Sequence, residues 1–266
     1  MCRMLAFYRG YENGEHNLTR REALEICLRM QGAANVDGVG SGHINENGEL
    51  CIRKHKDSLM DVLKNGISKK DTSFLSHLDN PDWRGWTTVH LRAASIGEIS
   101  VNNAHPFNIE NKWIFQHNGT AASYENKILR LAMSKTVKFQ GDTDSETLGH
   151  LLNISGAREF AEVVKTTGVF FALRKDGSLY VIKTSGSLDI CTRGDSHFFA
   201  SDIDFQKYPE SSVIKENGWF YLGKDGKMLS SKEIKSSYSG VTTYQGQGTN
   251  SNYYSHRGMG QYSLGD

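Results

Sequence analysis

The sequence predicts an α+β fold, built from layers of mainly antiparallel sheet with helices packed against them. Strand patterns come in consecutive runs, and the helical patterns are gathered between these runs instead of alternating with single strands. Two Lys-Asp-Gly turns, at 175–177 and 224–226, each follow a short apolar strand, which is typical of hairpins. Regular alternation of strand and helix would indicate a doubly wound parallel sheet, so antiparallel layers are favoured.

The individual elements follow from residue periodicity, in chain order. Thr19 and Glu22 have capping-box spacing ahead of apolar residues at helical intervals, so a helix is expected to begin there. The glycine-rich run 37–42 lacks the Lys-Ser/Thr pair of a phosphate-binding loop, so it indicates close backbone packing instead. Further helices are expected at 57–65, 124–133, 146–152 and 159–164, and strands at 2–8, 49–54, 87–94, 113–116, 169–173, 179–182 and 219–222.

Composition and charge exclude several classes of protein. The 266 residues are 38% hydrophobic and carry a net charge of +1, so neither nucleic acid nor a membrane is an expected partner. No apolar run approaches the roughly 20 residues that span a bilayer. Cys2, Cys27, Cys51 and Cys191 are widely spaced and form no C-x-x-C pair. We therefore expect no metal site, no disulfide framework and a reducing, cytoplasmic setting.

Composition changes sharply near the end of the chain. Residues 236–266 consist almost entirely of Ser, Gly, Tyr, Gln, Asn and Thr, and they hold five of the eleven tyrosines. Such a segment has too little apolar area to offset its ordering entropy. We expect one folded domain over 1–235 and a disordered tail over 236–266, with docking of the tail to a partner as the alternative.

The second residue is the first candidate for chemistry. If Met1 is removed, Cys2 carries a thiol and a free α-amine, and the ordinary pKa of such an amine, about 7.7–8.0, lets it accept a proton near neutrality. A thiol needs such a base, or a shifted pKa, before it attacks as thiolate. The structural alternative is a small buried residue at the start of a strand.

Three polar patches follow predicted strands or precede a helix. Arg92 ends a strand, Asn118-Gly119 leaves another, and Asp144 precedes a helix. Taken singly, they are typical of an ion pair, a turn and a helix cap. Together with Cys2 they form a set suited to amide hydrolysis. The Asn amide and the Gly N–H suit an oxyanion, and Arg92 and Asp144 suit the carboxylate and ammonium of an amino acid.

At this point the sequence closely resembles a known family. Five motifs carry the resemblance, and they are Met1-Cys2, HLRAAS (90–95), NAHPF (103–107), WIFQHNG (113–119) and GDTDSE (141–146). The set resembles the class II glutamine amidotransferases of the N-terminal-nucleophile hydrolase superfamily, and most of all their small standalone branch. The resemblance implies a four-layer α-β-β-α sandwich.

The resemblance also implies a role for each site residue. Cys2, as the mature N-terminal residue, matches the nucleophile, with its own α-amine as base. Asn118 and Gly119 match the oxyanion hole. Arg92 matches the residue that binds the glutamine α-carboxylate, and Asp144 the one that binds the α-ammonium. Ser95 matches a position that lies near the substrate in the family, and this match is weaker than the others.

Two departures limit what the resemblance implies. Ala93 stands where the amino-sugar-forming relatives have a bulky Trp, and residues 35–38 reduce the Arg-Gly-x-Asp run of many members to Asn-Val-Asp-Gly. Both put substrate gating in doubt without touching the core positions.

The implied reaction is hydrolysis of glutamine to glutamate and ammonia through a γ-glutamyl thioester, without metal or cofactor. No Ser-Gly-Gly-x-Asp-Ser pyrophosphate loop is found, so we expect any ammonia acceptor on a separate synthase. Two alternatives stay open. One is a standalone hydrolase of another γ-glutamyl amide or peptide, and the other is an inactive scaffold or binding protein on this fold.

Overall fold

The computed structural model describes residues 1–10, 17–69, 73–121, 124–164, 168–193 and 196–234. Residues Met1–Lys235 cluster as one compact unit. The tail predicted for 236–266 lies outside the described residues.

The described residues form thirteen strands and five α-helices. The strands are β1 (Arg3–Arg9), β2 (Val39–Ile44), β3 (Leu50–His55), β4 (Gly85–Leu91), β5 (Phe107–Ile109), β6 (Trp113–Gly119), β7 (Gly168–Arg174), β8 (Leu179–Lys183), β9 (Asp189–Arg193), β10 (Ser196–Ala200), β11 (Ser211–Val213), β12 (Gly218–Leu222) and β13 (Met228–Glu233). The helices are α1 (Arg20–Gln31), α2 (Leu59–Lys69), α3 (Tyr124–Met133), α4 (Asp144–Ser155) and α5 (Ala157–Val163). A 3₁₀ turn covers Ser76–Asp79.

The strands form two antiparallel sheets. The seven-stranded sheet has the order β11-β9-β10-β1-β4-β2-β3, and the six-stranded sheet has the order β13-β12-β8-β7-β6-β5. Strand β1 lies inside its sheet, with β4 on one side and β10 on the other. This places the start of the chain in the middle of a sheet.

Alternation along β1 shows how the layers stack. Leu5 and Phe7 belong to the apolar cluster shared with α1 and α2, while Met4 and Ala6 belong to the cluster shared with the other sheet. Because successive strand residues point to opposite faces, the seven-stranded sheet is covered on both sides. A third cluster joins α4 and α5 to the outer face of the six-stranded sheet. The predicted four-layer α-β-β-α sandwich is confirmed.

Helix α1 confirms the capping box, because Thr19 accepts a hydrogen bond from the Glu22 N–H and the Glu22 carboxylate accepts one from the Thr19 N–H. Helix α2 differs from its prediction at both ends. It begins at Leu59 instead of at residue 57, and the Ser58 hydroxyl in front of it accepts a hydrogen bond from the Asp61 N–H at 3.1 Å. The helix also continues past Asn65-Gly66 to Lys69. Gly66 is buried there, so a residue expected to end the helix is tolerated inside it.

Six of the observed strands are missing from the predicted list: β2, β5, β9, β10, β11 and β13. Most are short, and β13 is an almost wholly exposed edge strand without an apolar alternation. The glycine-rich run behaves as expected, since a Cβ on Gly40 would overlap the carbonyl oxygen of His105. The strand predicted over 87–94 ends at Leu91, which leaves Arg92 in the connection that follows.

Candidate active site

Cys2 lies one residue before β1, at the end of a strand held on both sides. The neighbouring pair Arg3–Leu91 brings the end of β4 alongside it. The Ala93 N–H lies 3.4 Å from the Cys2 Sγ, and the thiol lies 3.5 Å from the Ala93 carbonyl oxygen. Cys2 is 9% exposed, whereas Met1 is 79% exposed. The thiol therefore lies just beneath the surface, and the residue ahead of it projects into solvent.

The surroundings of the thiol hold it in the neutral form. Burial is the largest effect and raises the pKa of the Cys2 thiol. The Ala93 N–H, the N-terminal charge and Arg92 oppose this shift, while Asp144 adds to it. Arg92 thus lowers the pKa of this thiol, and Asp144 raises it. A separate base is needed to form the thiolate at neutral pH.

Arg92 is almost fully buried, and its guanidinium contacts the loop that follows it. It donates to the carbonyl oxygens of Ile96 at 3.0 Å, Gly97 at 3.2 Å and Glu98 at 3.0 Å. Because a guanidinium has five N–H groups, at least two remain for another acceptor. Burial is the largest effect and lowers the pKa of Arg92. Cys2 raises this pKa, and so do several nearby carboxylates.

Asn103 fixes the loop that holds Arg92. Its side-chain amide donates to the Glu98 carbonyl at 3.1 Å and to the Asp142 carboxylate at 2.5 Å, while its own oxygen accepts from the Asp142 N–H at 2.9 Å. Asn103 is the first residue of the NAHPF motif. The motif thus connects the Arg92 loop to the segment leading into α4.

Asn118 and Gly119 are the last two residues of β6, beside β7. The Asn118 Nδ2 lies 3.5 Å from the Ser201 hydroxyl, and that hydroxyl also accepts from the Met4 N–H at 2.9 Å. The buried Oδ1 of Asn118 has no hydrogen-bond partner among the described residues. The amide is thus held by one long contact, within reach of the strand that begins after Cys2.

Asp144 is the first residue of α4. The helix cap is Thr143, whose side chain accepts from the Glu146 N–H, so the interpretation of Asp144 as a cap is wrong. The Asp144 carboxylate accepts from the backbone N–H groups of Ser145 at 2.9 Å and Ala121 at 2.5 Å. Two backbone donors therefore fix a buried carboxylate near Cys2.

Ser95 lies at the exposed rim of the site. Its Oγ is 3.4 Å from the Thr120 Oγ1, next to Gly119. The structure therefore brings Ser95 to the same edge as Asn118 and Gly119.

Two further residues support the site and were not identified from the sequence. The Asp37 carboxylate accepts from the Ala94 N–H at 2.8 Å and so fixes the segment that contacts the thiol. The sequence did offer a signal for Asp37, because the run 35–38 departs from Arg-Gly-x-Asp but still contains an aspartate. Ser201 connects Asn118 to Met4, but it follows β10, a strand that was not predicted, so no local pattern marked it.

Within the described ranges, no group of three or more His, Cys, Asp or Glu side chains is placed to hold a metal ion. The helices of the described parts include none that is long and apolar enough to cross a bilayer.

Comparison with known families gives one match over most of the chain. Residues 23–200 match the family described as class-II glutamine amidotransferases. The matched region begins after Cys2, so it does not itself include the candidate nucleophile.

Curated relatives match the chain with only part of their own length. Glutamine–fructose-6-phosphate aminotransferase from Clostridium tetani is 31% identical over 159 residues, which are 55% of this chain and 26% of the relative. The enzyme of that name from Fusobacterium nucleatum is 25% identical over 239 residues, covering 85% of this chain and 37% of the relative. The chain thus spans about a third of the length of these relatives.

Solved structures share the fold at low identity. The glutamine phosphoribosylpyrophosphate amidotransferase of B. subtilis has a TM-score of 0.60 and 17% identity, over 88% of this chain and 49% of that chain. A glutamine aminotransferase class-II domain protein from Silicibacter pomeroyi has a TM-score of 0.53 and 16% identity, over 88% of this chain and 100% of that chain.

Proposed function

The chain belongs to the class-II glutamine amidotransferases, and on this premise we propose that it hydrolyses the side-chain amide of glutamine through a γ-glutamyl thioester on Cys2. The products are glutamate and ammonia. One observation carries the proposal: the buried Cys2 thiol contacts the Ala93 backbone within the electrostatic field of both Arg92 and Asp144. These are the two charges that an amino-acid substrate requires.

The mechanism begins with removal of Met1. Since burial raises the pKa of the Cys2 thiol, a base is needed, and the α-amine of the trimmed Cys2 supplies it. The thiolate attacks the amide carbon, and a C–S bond forms as the carbonyl becomes an oxyanion. Asn118 Nδ2 and the Gly119 N–H donate to that oxyanion.

Collapse of the tetrahedral intermediate breaks the C–N bond. The proton taken up by the α-amine passes to the departing nitrogen, which leaves as ammonia. A water molecule, deprotonated by the same amine, then attacks the thioester, and glutamate leaves as the sulfur regains its proton. In these steps every proton moves between the thiol, the α-amine, the departing nitrogen and water, so the proposed reaction uses no metal or cofactor.

Substrate recognition uses the two charged residues. Arg92 retains N–H groups beyond its loop contacts, and these form a fork suited to the α-carboxylate. Asp144 receives the α-ammonium, because its carboxylate is already held in place by backbone donors. Ser95 completes the exposed rim.

The acceptor of ammonia belongs to a separate synthase in this proposal, and the location is cytoplasmic. The chain spans about a third of its curated aminotransferase relatives, so most of each relative lies outside the match. The free thiols of all four cysteines support a reducing compartment. Residues 1–235 form the proposed glutaminase domain.

One observation favours a second candidate, a hydrolase of other γ-glutamyl amides or peptides. The segment over the thiol, Ala93-Ala94-Ser95, is half-exposed or exposed and has only small side chains. A substituent on the amide nitrogen would therefore meet little steric resistance there. Arg92 and Asp144 would bind the same γ-glutamyl group in both reactions.

The test is ammonia release from glutamine, with the intact mass measured in parallel. We expect the active protein to lack Met1, and Cys2→Ala to reduce release at least about a thousandfold. Cys51→Ala, which changes a half-buried thiol outside the site, is the matched control. Unchanged release in Cys2→Ala, or full activity with Met1 retained, would contradict the mechanism. A γ-glutamyl dipeptide cleaved faster than glutamine would favour the second candidate.

A further inference from the structure

His117 connects the two ends of the site, although it lies beneath it. It precedes Asn118 in β6, is almost fully buried, and stacks on Phe170 with ring centroids 4.6 Å apart and an interplanar angle of 7°. Its Nδ1 lies 3.0 Å from the Ser145 Oγ, on helix α4. The ring therefore bridges the strand of the oxyanion residues and the helix of Asp144.

Ser145 carries this connection to the carboxylate. Its backbone N–H donates to the Asp144 Oδ1 at 2.9 Å, and its hydroxyl lies 3.4 Å from the same oxygen. The hydroxyl thus contacts both the His117 ring and Asp144. One side-chain oxygen separates the histidine from the residue that receives the α-ammonium.

His90 fixes the other side of His117. The His90 Nε2 lies 3.0 Å from the His117 carbonyl oxygen, and since a carbonyl only accepts, Nε2 must carry the proton. Complete burial lowers the pKa of His90 to about 3, so the ring is neutral. It also stacks on His105 at 4.0 Å. Strand β4, which leads to Arg92, is thereby held against β6.

From these contacts we propose that His117 is a positioning residue: it sets the separation between the oxyanion donors at Asn118-Gly119 and the ammonium-binding carboxylate of Asp144. The proposal rests on the proposed function. The ring faces Phe170 and Ser145 inside the protein, so it takes no direct part in the chemistry. Its backbone is held by His90 and its ring by α4, so the two halves of the site cannot shift independently.

The experiment uses His117→Phe, which keeps a ring for stacking and removes the nitrogen, and Ser145→Ala, which removes the hydroxyl. Both variants and the double variant are compared for glutamine hydrolysis. We expect each single variant to raise KM about tenfold with kcat within about threefold, and the double variant to be no worse than either. Ser155→Ala, at the other end of α4, is the control and should match wild type.

A second substrate separates positioning from general damage. Glutaramate has the same amide but lacks the α-ammonium, so its hydrolysis should be equal in wild type and variants. Additive effects in the double variant, or equal losses on both substrates, would overturn the proposal, and Ser145→Ala gives this readout even if His117→Phe does not fold. A wild-type protein without glutaminase activity would instead reject the proposed function.

Discussion

The backbone of Ala93 contacts the Cys2 sulfur with both of its polar groups, through an N–H at 3.4 Å and a carbonyl oxygen at 3.5 Å. The N–H stabilises a thiolate, whereas the carbonyl can accept only from a neutral thiol. Burial outweighs the N–H and raises the pKa of the thiol. The sulfur is consequently held in place by the Ala93 backbone as a neutral thiol.

Alkylation of Cys2 by iodoacetamide should therefore be slow in protein that retains Met1. A raised pKa means less thiolate at pH 8, so we expect a rate at least about tenfold below that of free cysteine and still rising above pH 9. Peptide mapping by mass spectrometry distinguishes Cys2 from the other thiols. A rate that levels off below pH 8.5 would show that the thiolate is stabilised instead.

Replacing Arg92 by Lys should chiefly weaken glutamine binding. Lysine keeps the charge but lacks the planar fork, so it cannot serve both the loop carbonyls and a carboxylate. We expect KM to rise at least about tenfold, which corresponds to about 1.4 kcal/mol. Arg174→Lys is the matched control, because Arg174 forms an exposed pair with Asp176. An unaltered KM would remove Arg92 from substrate recognition.

Gly168 pairs with Gly119 across β6 and β7, next to Asn118, and we expect Gly168→Ala to damage both stability and activity. Its φ of +133° is unfavourable for alanine, and the added Cβ would overlap the Asn118 carbonyl oxygen. Gly186→Ala separates the backbone strain from the Cβ overlap. Gly186 also has a positive φ, of +78°, but an added Cβ there would meet only open space. Chemical denaturation should show a loss of about 1 kcal/mol for Gly186→Ala and several times more for Gly168→Ala. Equal losses would mean that the contact with Asn118 is unimportant.

The protein should lose stability as the pH falls from about 6.5 to 4. Burial lowers the pKa of His43 to about 4, of His77 to about 2 and of His90 to about 3. Below pH 6.5 the unfolded chain binds protons on these residues and the folded chain does not, so protonation favours unfolding. At pH 5 each should lower the free energy of unfolding by about 2 kcal/mol relative to pH 8.

Urea denaturation at pH 8 and pH 5 measures this loss. His77→Gln should reduce the pH dependence by one histidine's share, whereas Gln206→Ala, which changes an exposed residue that does not titrate, should not. The same pH dependence in both variants would refute this explanation.

Removal of residues 236–266 should leave the fold and glutamine hydrolysis unchanged. Residues Met1–Lys235 form a compact unit, and the removed segment has almost no aliphatic side chains. Thermal unfolding followed by circular dichroism, together with ammonia release, provides the check. A Tm lower by more than about 5 °C would mean that the segment contributes to the packed domain.

Local signals in the sequence were enough for much of the fold. The Thr19 capping box, the Lys-Asp-Gly turns and the alternating apolar strands depend on neighbouring residues, and those elements formed as expected. Gly66 and Ser58 show the limit. Gly66 is buried inside α2 instead of ending it, and the helix begins behind the Ser58 hydroxyl, two residues after its predicted start at 57. Ser201 depends on a strand pairing across nearly the whole domain, which no local pattern records.

The pairing of β1 also has a consequence in time. Its neighbour β4 begins at Gly85, and its other neighbour β10 begins only at Ser196. Since a chain is synthesised from its N-terminus at about 5–20 residues per second, roughly 10–40 s separate the first strand from its last partner. During that interval β1 lacks at least one of its two partners, so Met1 and Cys2 lie in a segment that an aminopeptidase can reach. Strand β1 is thus made before both of its partners and is among the last strands to be enclosed, so removal of Met1 can precede folding.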